Sequence, residues 1–97
     1  MKKKNRALHL DISAILLKYD PMQIGAVAET DEYDLEAATI LSRIKEVHTK
    51  EELADIVYEE FQSWYGREEV GDKATYVHMA DEIWEVWHRY NNASNAA

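Results

Sequence analysis

Residues 49–66 read TKEELADIVYEEFQSWYG and carry a complete helix signature. Thr49 and Glu52 have the spacing of a capping box, in which each side chain satisfies a backbone N–H of the first turn. Gly66 can end the helix, because glycine adopts a positive φ at little steric cost. Between them, apolar residues recur at the helical period: Leu53, Ile56, Val57, Phe61 and Trp64. The segment therefore predicts an amphipathic helix.

Three further segments show the same period. We expect Asp20-Pro21 to end the first helix, because proline disfavours helical geometry in the residue before it. The second helix is expected over residues 34–47. After the third helix we expect a polar loop at 67–71. A last helix of about 18 residues then follows, with Asp72 as its cap. The predicted inward-facing residues are Leu8, Ile12, Ile15, Leu16 and Tyr19; Tyr33, Ala37, Ile40, Leu41 and Ile44; and Tyr76, Val77, Ala80, Ile83, Trp84 and Trp87. The prediction is an all-α fold, a small antiparallel bundle of about four helices.

Length and composition fit one small domain. The chain has 97 residues, of which 46% are hydrophobic, and it contains only one Pro and three Gly. We therefore expect a single helical domain over residues 1–97, with a basic extension at 1–6 and a frayed tail at 91–97. The absence of Cys excludes disulfides, Cys-ligated zinc and thiol catalysis.

Charge is distributed unevenly along the chain. The net charge is −8, yet the first 19 residues hold five basic residues and one acid, which leaves −12 on the other 78. An acidic body repels phosphate backbones, so no nucleic-acid partner is expected. No apolar run is long enough to span a membrane, and the basic start lacks the uninterrupted apolar stretch of a signal peptide. A cytoplasmic location is expected.

Few residues suggest catalysis or metal binding. Glu85 and His88 have the Glu-x-x-His spacing of di-iron bundles, but Glu46 and His48 are too close to form a second copy. A ligand site that combines this pair with His78 and Glu82 is the weakest hypothesis. There is no Gly-rich phosphate loop and no serine nucleophile elbow. The prediction is that the chain is no enzyme, has no catalytic residues, and needs no metal or other cofactor.

Protein binding is the function that the sequence favours. Acids crowd residues 29–36, partly because the helix dipole favours negative charge at a helix start. They also begin before that helix, so we expect an acidic recognition surface with an aromatic anchor. Its predicted residues are Glu29, Asp31, Glu32, Tyr33, Asp34 and Glu36. Trp84 and Trp87 form the alternative interface, because tryptophan is common where proteins meet.

Several short stretches resemble the YugE-like family of small bacterial proteins, over about residues 12–88. The matching stretches are Asp20-Pro21-Met22-Gln23-Ile24-Gly25, Tyr33-Asp34, Glu51-Glu52-Leu53-Ala54 and Phe61-x-x-Trp64-Tyr65-Gly66. The resemblance implies a small helical protein from a bacterium and carries over no catalytic residue.

Size and charge together lead to two functional hypotheses. The first is an acidic protein-binding protein, most concretely an immunity protein that neutralises a basic toxin such as a nuclease. The alternative is a structural or regulatory helical protein that acts as a homodimer.

Overall fold

The chain folds into helices wherever the sequence shows a helical stripe. The computed structural model describes residues 3–22 and 33–96, with side chains over 6–22 and 33–91. Its helices are α1 (Lys3–Tyr19), α2 (Asp34–Ile44), α3 (Lys50–Tyr65), α4 (Arg67–Val70) and α5 (Lys73–Ala96). No strand occurs in these ranges. The predicted all-α class is confirmed.

Local signals set the helix ends. Thr49 Oγ1 accepts a hydrogen bond from the N–H of Glu52, and the Glu52 carboxylate accepts one from the N–H of Thr49, both at 3.1 Å. The capping box of α3 is therefore present as predicted. Gly66, which has a φ of 92°, follows the last residue of α3. α1 ends before Asp20, a non-glycine residue with a φ of 46°.

Polar contacts show how the first and last helices pair. Lys18 of α1 contacts Glu82 of α5 at 2.7 Å. Seven residues earlier in α1, Asp11 accepts a 2.7 Å hydrogen bond from Tyr90 of α5. Residue numbers in these contacts rise along α5 while they fall along α1, so the two helices are antiparallel neighbours.

The remaining pairings close a ring of four long helices. Tyr65 of α3 donates a hydrogen bond to Glu36 of α2, and Glu60 of α3 contacts Arg43 of α2 at 2.8 Å. These contacts make α2 and α3 antiparallel. α3 also packs along α5, and α1 along α2, while α4 packs on α3 in the connection to α5. The result is a four-helix bundle with one extra helical turn.

Aromatic rings fill the centre of the bundle. Phe61 has ring centroids of Tyr33, Tyr65 and Tyr76 at 6.0, 5.8 and 5.3 Å. Burial raises the pKa of Tyr76 to about 12, and its hydroxyl donates a 2.7 Å bond to the carbonyl of Val70. The fully buried large side chains are Tyr33, Tyr76, Phe61, Leu8, Ile12, Leu16, Ile40, Ile44, Leu53, Met79, Ile83 and Val57.

The structure differs from the sequence prediction in four places. α2 ends at Ile44, three residues early, because the next residues form a turn. The predicted polar loop contains α4, whose Val70 is buried and draws that stretch onto the core. α5 has 24 residues rather than about 18. Trp64 and Val77, both expected inside, are 46% and 39% exposed, Trp64 because it lies in the last turn of α3.

Candidate functional site: an acidic side formed by α3 to α5

The predicted partner surface at residues 29–36 is only partly available. Glu29, Asp31 and Glu32 lie outside the described residues, so their role stays a prediction. Tyr33 is fully buried and Glu36 is 4% exposed. The expectation that these two side chains face a partner is wrong for this fold.

Hydrogen bonds explain why these residues turn inward. The Tyr33 hydroxyl donates to Asp20 and accepts from the N–H of Met22. Burial, together with the bond to Asp20, raises the pKa of Tyr33 well above its ordinary value. Tyr65 donates to the carboxylate of Glu36. Both side chains therefore stabilise the bundle. For Glu36 the sequence carried a signal of this inward position, because Glu36 lies one turn before the buried Ile40.

Asp34 also serves the fold. Its carboxylate accepts a 2.5 Å hydrogen bond from Ser13 of α1. Its backbone carbonyl is 2.9 Å from Nε2 of His9, which must donate because a carbonyl oxygen only accepts. Asp34 is half-buried, so it retains some accessible surface at the α1–α2 seam.

Exposed acids concentrate elsewhere, on the part of the molecule that α3 to α5 form. Between positions 50 and 91, nine exposed residues are acids and four are Lys or Arg. We call this surface the acidic side. Its exposed acids are Glu51, Glu52, Asp55, Glu59, Glu68, Glu69, Asp72, Asp81 and Glu85. Like charges concentrated on one part of a molecule produce a field that attracts cations over a Debye length of about 8–10 Å.

A cleft of about 140 Å³ opens on the acidic side between α3 and α5. Ala54 and Val77 supply its apolar lining. Its charged lining residues are Lys50, Glu51, Asp55, Lys73 and Asp81. Lys73 forms an ion pair with Asp55. Three carboxylates and two ammonium groups thus border an apolar recess.

Trp84 and Trp87 lie on α5, a few residues after Asp81, the last residue of α5 that lines the cleft. Both are half-buried and pack against the core. The Trp84 ring meets the His88 ring edge-on, with centroids 4.3 Å apart. The alternative interface of the sequence analysis therefore offers partial aromatic surface beside exposed Asp81 and Glu85.

The structure gives no support to a ligand site made of His78, Glu82, Glu85 and His88. Lys18 donates to both carboxylate oxygens of Glu82, at 2.7 and 2.9 Å, and Tyr19 donates to the same carboxylate. The Lys18 ammonium holds the pKa of Glu82 below its ordinary value. Within the described ranges, no three His, Asp or Glu side chains converge as metal ligands would.

None of the helices described here has the length and apolar character needed to cross a membrane.

No protein-family model, no curated protein and no solved structure matches the chain. The resemblance to the YugE-like family stays a prediction.

Proposed function

We propose that this chain is an acidic protein-binding protein whose acidic side docks on a positively charged protein. Its most concrete form is an immunity protein that neutralises a basic toxin, such as a nuclease. The observation that carries the proposal is the excess of exposed acids over cations on the acidic side, around an apolar cleft. Complementary potentials of this kind accelerate encounter with a basic partner and disfavour acidic ones.

The cleft supplies a specific contact within this general attraction. An arginine or lysine side chain has an apolar stem and a charged end. Its methylene groups would pack on Ala54 and Val77, and its charged end would meet Glu51 or Asp81. Arginine fits best, because its planar guanidinium binds a carboxylate through two parallel hydrogen bonds.

Two double variants with the same charge change separate the specific contact from the general field. Glu51→Gln with Asp81→Asn neutralises the cleft. Glu68→Gln with Glu69→Gln neutralises two exposed acids of α4. We expect the cleft pair to raise the dissociation rate about tenfold or more, since losing a close charge pair acts mainly on dissociation. The α4 pair should only slow association, by about threefold or less at low salt.

The experiment is affinity capture from the native cell with mass spectrometry, then measurement of both rate constants over a salt series. Support consists of a basic partner whose association slows as salt rises. A neutral or acidic partner contradicts the proposal, as does a complex that is indifferent to salt. Equal effects of the two double variants would leave general attraction in place and remove the cleft contact.

The same assay tests the acids at residues 29–32. A triple variant with Glu29→Gln, Asp31→Asn and Glu32→Gln tests the remaining part of the predicted surface. If these acids steer the partner, association slows while the melting temperature changes little. Unchanged rates would confine recognition to the acidic side.

A further inference from the structure

A second recess opens on another flank of α5, where this helix packs against α1. It has a volume of about 320 Å³, and we call it the α1–α5 groove. Ala14, Ile15 and Val86 supply its apolar lining. Ile15 and Val86 are buried, whereas Ala14 is exposed. Because the Ala14 side chain ends at Cβ, it fills little of the space between the two helices.

Two of the four charged residues that line the groove already serve the fold. Glu82 forms an ion pair with Lys18, whose ammonium group neutralises it. Asp11 accepts a 2.7 Å hydrogen bond from the hydroxyl of Tyr90. A tyrosine hydroxyl brings no positive charge, so Asp11 remains uncompensated.

The other two charged residues, Glu85 and Arg89, are exposed. Neither forms a hydrogen bond or an ion pair within the described part of the chain. Asp11 and Glu85 together outweigh Arg89, so the groove is anionic. An unpaired carboxylate beside an apolar floor suits a cation that is carried on a hydrocarbon stem.

α5 connects this groove to the cleft of the acidic side. Asp81 lines the cleft that faces α3, and Glu85 lines the groove that faces α1. Both carboxylates are exposed. They are four residues apart, which is about 6 Å along the helix axis. A partner that covers this turn of α5 therefore reaches both recesses.

We propose that the α1–α5 groove accepts a second arginine side chain of the basic partner, beside the one that enters the cleft. Its methylene groups pack on Ala14 and Val86, and its guanidinium binds Glu85. An anion is disfavoured, because it would meet two uncompensated carboxylates for one guanidinium. The inference rests on the proposed function for its partner, and it requires that partner to present two arginines that straddle α5.

The first test uses N-acetylarginine amide, titrated into the isotope-labelled full chain while the NMR shifts of the backbone amides are recorded. We expect millimolar binding, with shifts at Ala14, Glu85 and Val86. N-acetylcitrulline amide has nearly the same shape without the charge and should shift these amides much less. Shifts confined to the α3–α5 cleft overturn the proposal, as do equal shifts with the two compounds.

Two substitutions in the groove have opposite expected effects on this titration. Glu85→Gln removes the carboxylate and should raise the dissociation constant of N-acetylarginine amide about threefold. Arg89→Gln removes a like charge and should lower it about twofold. If Arg89→Gln weakens binding instead, Arg89 is itself a contact, the groove suits an anion, and the proposal fails.

The second test changes the shape of the groove and leaves its charge unchanged. Ala14→Leu fills the groove, while Ala38→Leu adds the same bulk at an exposed position of α2. In the complex with the captured partner, Ala14→Leu should raise the dissociation rate about tenfold and leave association unchanged, because steering depends on charge. Ala38→Leu should alter neither rate. Circular dichroism checks the fold, and Glu85→Gln replaces Ala14→Leu if that variant loses helix.

The outcomes separate this inference from the proposed function. A basic partner with salt-dependent association that tolerates Ala14→Leu overturns the groove contact and leaves the proposed function in place. A neutral or acidic partner overturns both.

Discussion

The hydroxyl of Tyr33 donates a 2.7 Å hydrogen bond to Oδ1 of Asp20. The hydroxyl oxygen of Tyr33 also accepts a hydrogen bond from the N–H of Met22 at 3.2 Å. One buried side chain at the start of α2 therefore holds the end of α1 and the first residues after it. Asp20 has a φ of 46°, a conformation that Asp and Asn tolerate better than most residues.

Replacing Asp20 tests both features of this position. Asp20→Ala removes the acceptor and places a Cβ without polar compensation at positive φ. We expect the free energy of unfolding to fall by about 1–2 kcal/mol. Asp20→Asn keeps an acceptor and tolerates the backbone, so its loss should be smaller. Urea unfolding measures both, and equal stability of the Ala variant and wild type would contradict the role.

The bond between Tyr65 and buried Glu36 gives a second prediction. Tyr65→Phe removes a donor from a carboxyl group that is 4% exposed. We expect a loss of about 1–3 kcal/mol, the cost of removing the partner of a buried polar group. Tyr58→Phe is the matched control, because its 3.0 Å bond to the carbonyl of Gly71 is exposed. The control should lose less than about 1 kcal/mol. Comparable losses in thermal unfolding would argue against burial as the cause.

The cap of α3 gives a third prediction. Thr49→Ala leaves the N–H of Glu52 without its side-chain acceptor. The expected loss of unfolding free energy is about 1 kcal/mol. Thr49→Ser retains the hydroxyl and should recover most of it. A serine variant as unstable as the alanine variant would show that the methyl group, not the cap, is responsible.

Glu82 gives a prediction about pH. Lys18, followed by Tyr19, lowers the pKa of Glu82 below the ordinary 4.5. A carboxylate with a lower pKa in the folded state stabilises the fold fully above its unfolded pKa. That contribution disappears as the pH falls through the folded-state pKa. Glu82→Gln should therefore be less stable than wild type at neutral pH, by about 1 kcal/mol or less for so exposed a pair.

The difference should vanish in acid. Denaturant unfolding between pH 2 and 7 measures it, with Glu85→Gln as the control because Glu85 is exposed on the same helix. A Glu82→Gln deficit that persists unchanged at low pH would show that the ion pair is not its source.

Local sequence signals predicted much of the fold. The capping box at Thr49, the end of α1 before Asp20 and the buried stripe from Leu53 to Phe61 all depend on residues close in sequence. The helical turn α4 was not predicted, because its burial depends on a single residue, Val70, that packs on core residues distant in sequence. The exposure of Trp64 likewise depends on where the neighbouring helices end.

The candidate site was harder to predict. The sequence predicted an acidic body, and the acids at positions 50–91 bear this out. It also placed the strongest acidic surface at residues 29–36, where Glu36 is instead paired with Tyr65, a residue 29 positions away. A carboxylate that turns inward toward such a partner looks, in sequence, like one that faces solvent. The cleft was hard to predict for a similar reason, because α3 and α5, which are separate in sequence, form it jointly.

The ring of helices has a consequence for the order of folding. α2 packs against α3 and α3 against α5, so most pairs join neighbours along the chain. The α1–α5 seam instead joins Asp11 to Tyr90, which are 79 residues apart. Closing that span costs roughly 1 kcal/mol more entropy than closing a hairpin of about 20 residues. We therefore expect the hairpins to form before the seam that completes the ring, and this seam to be the first to open.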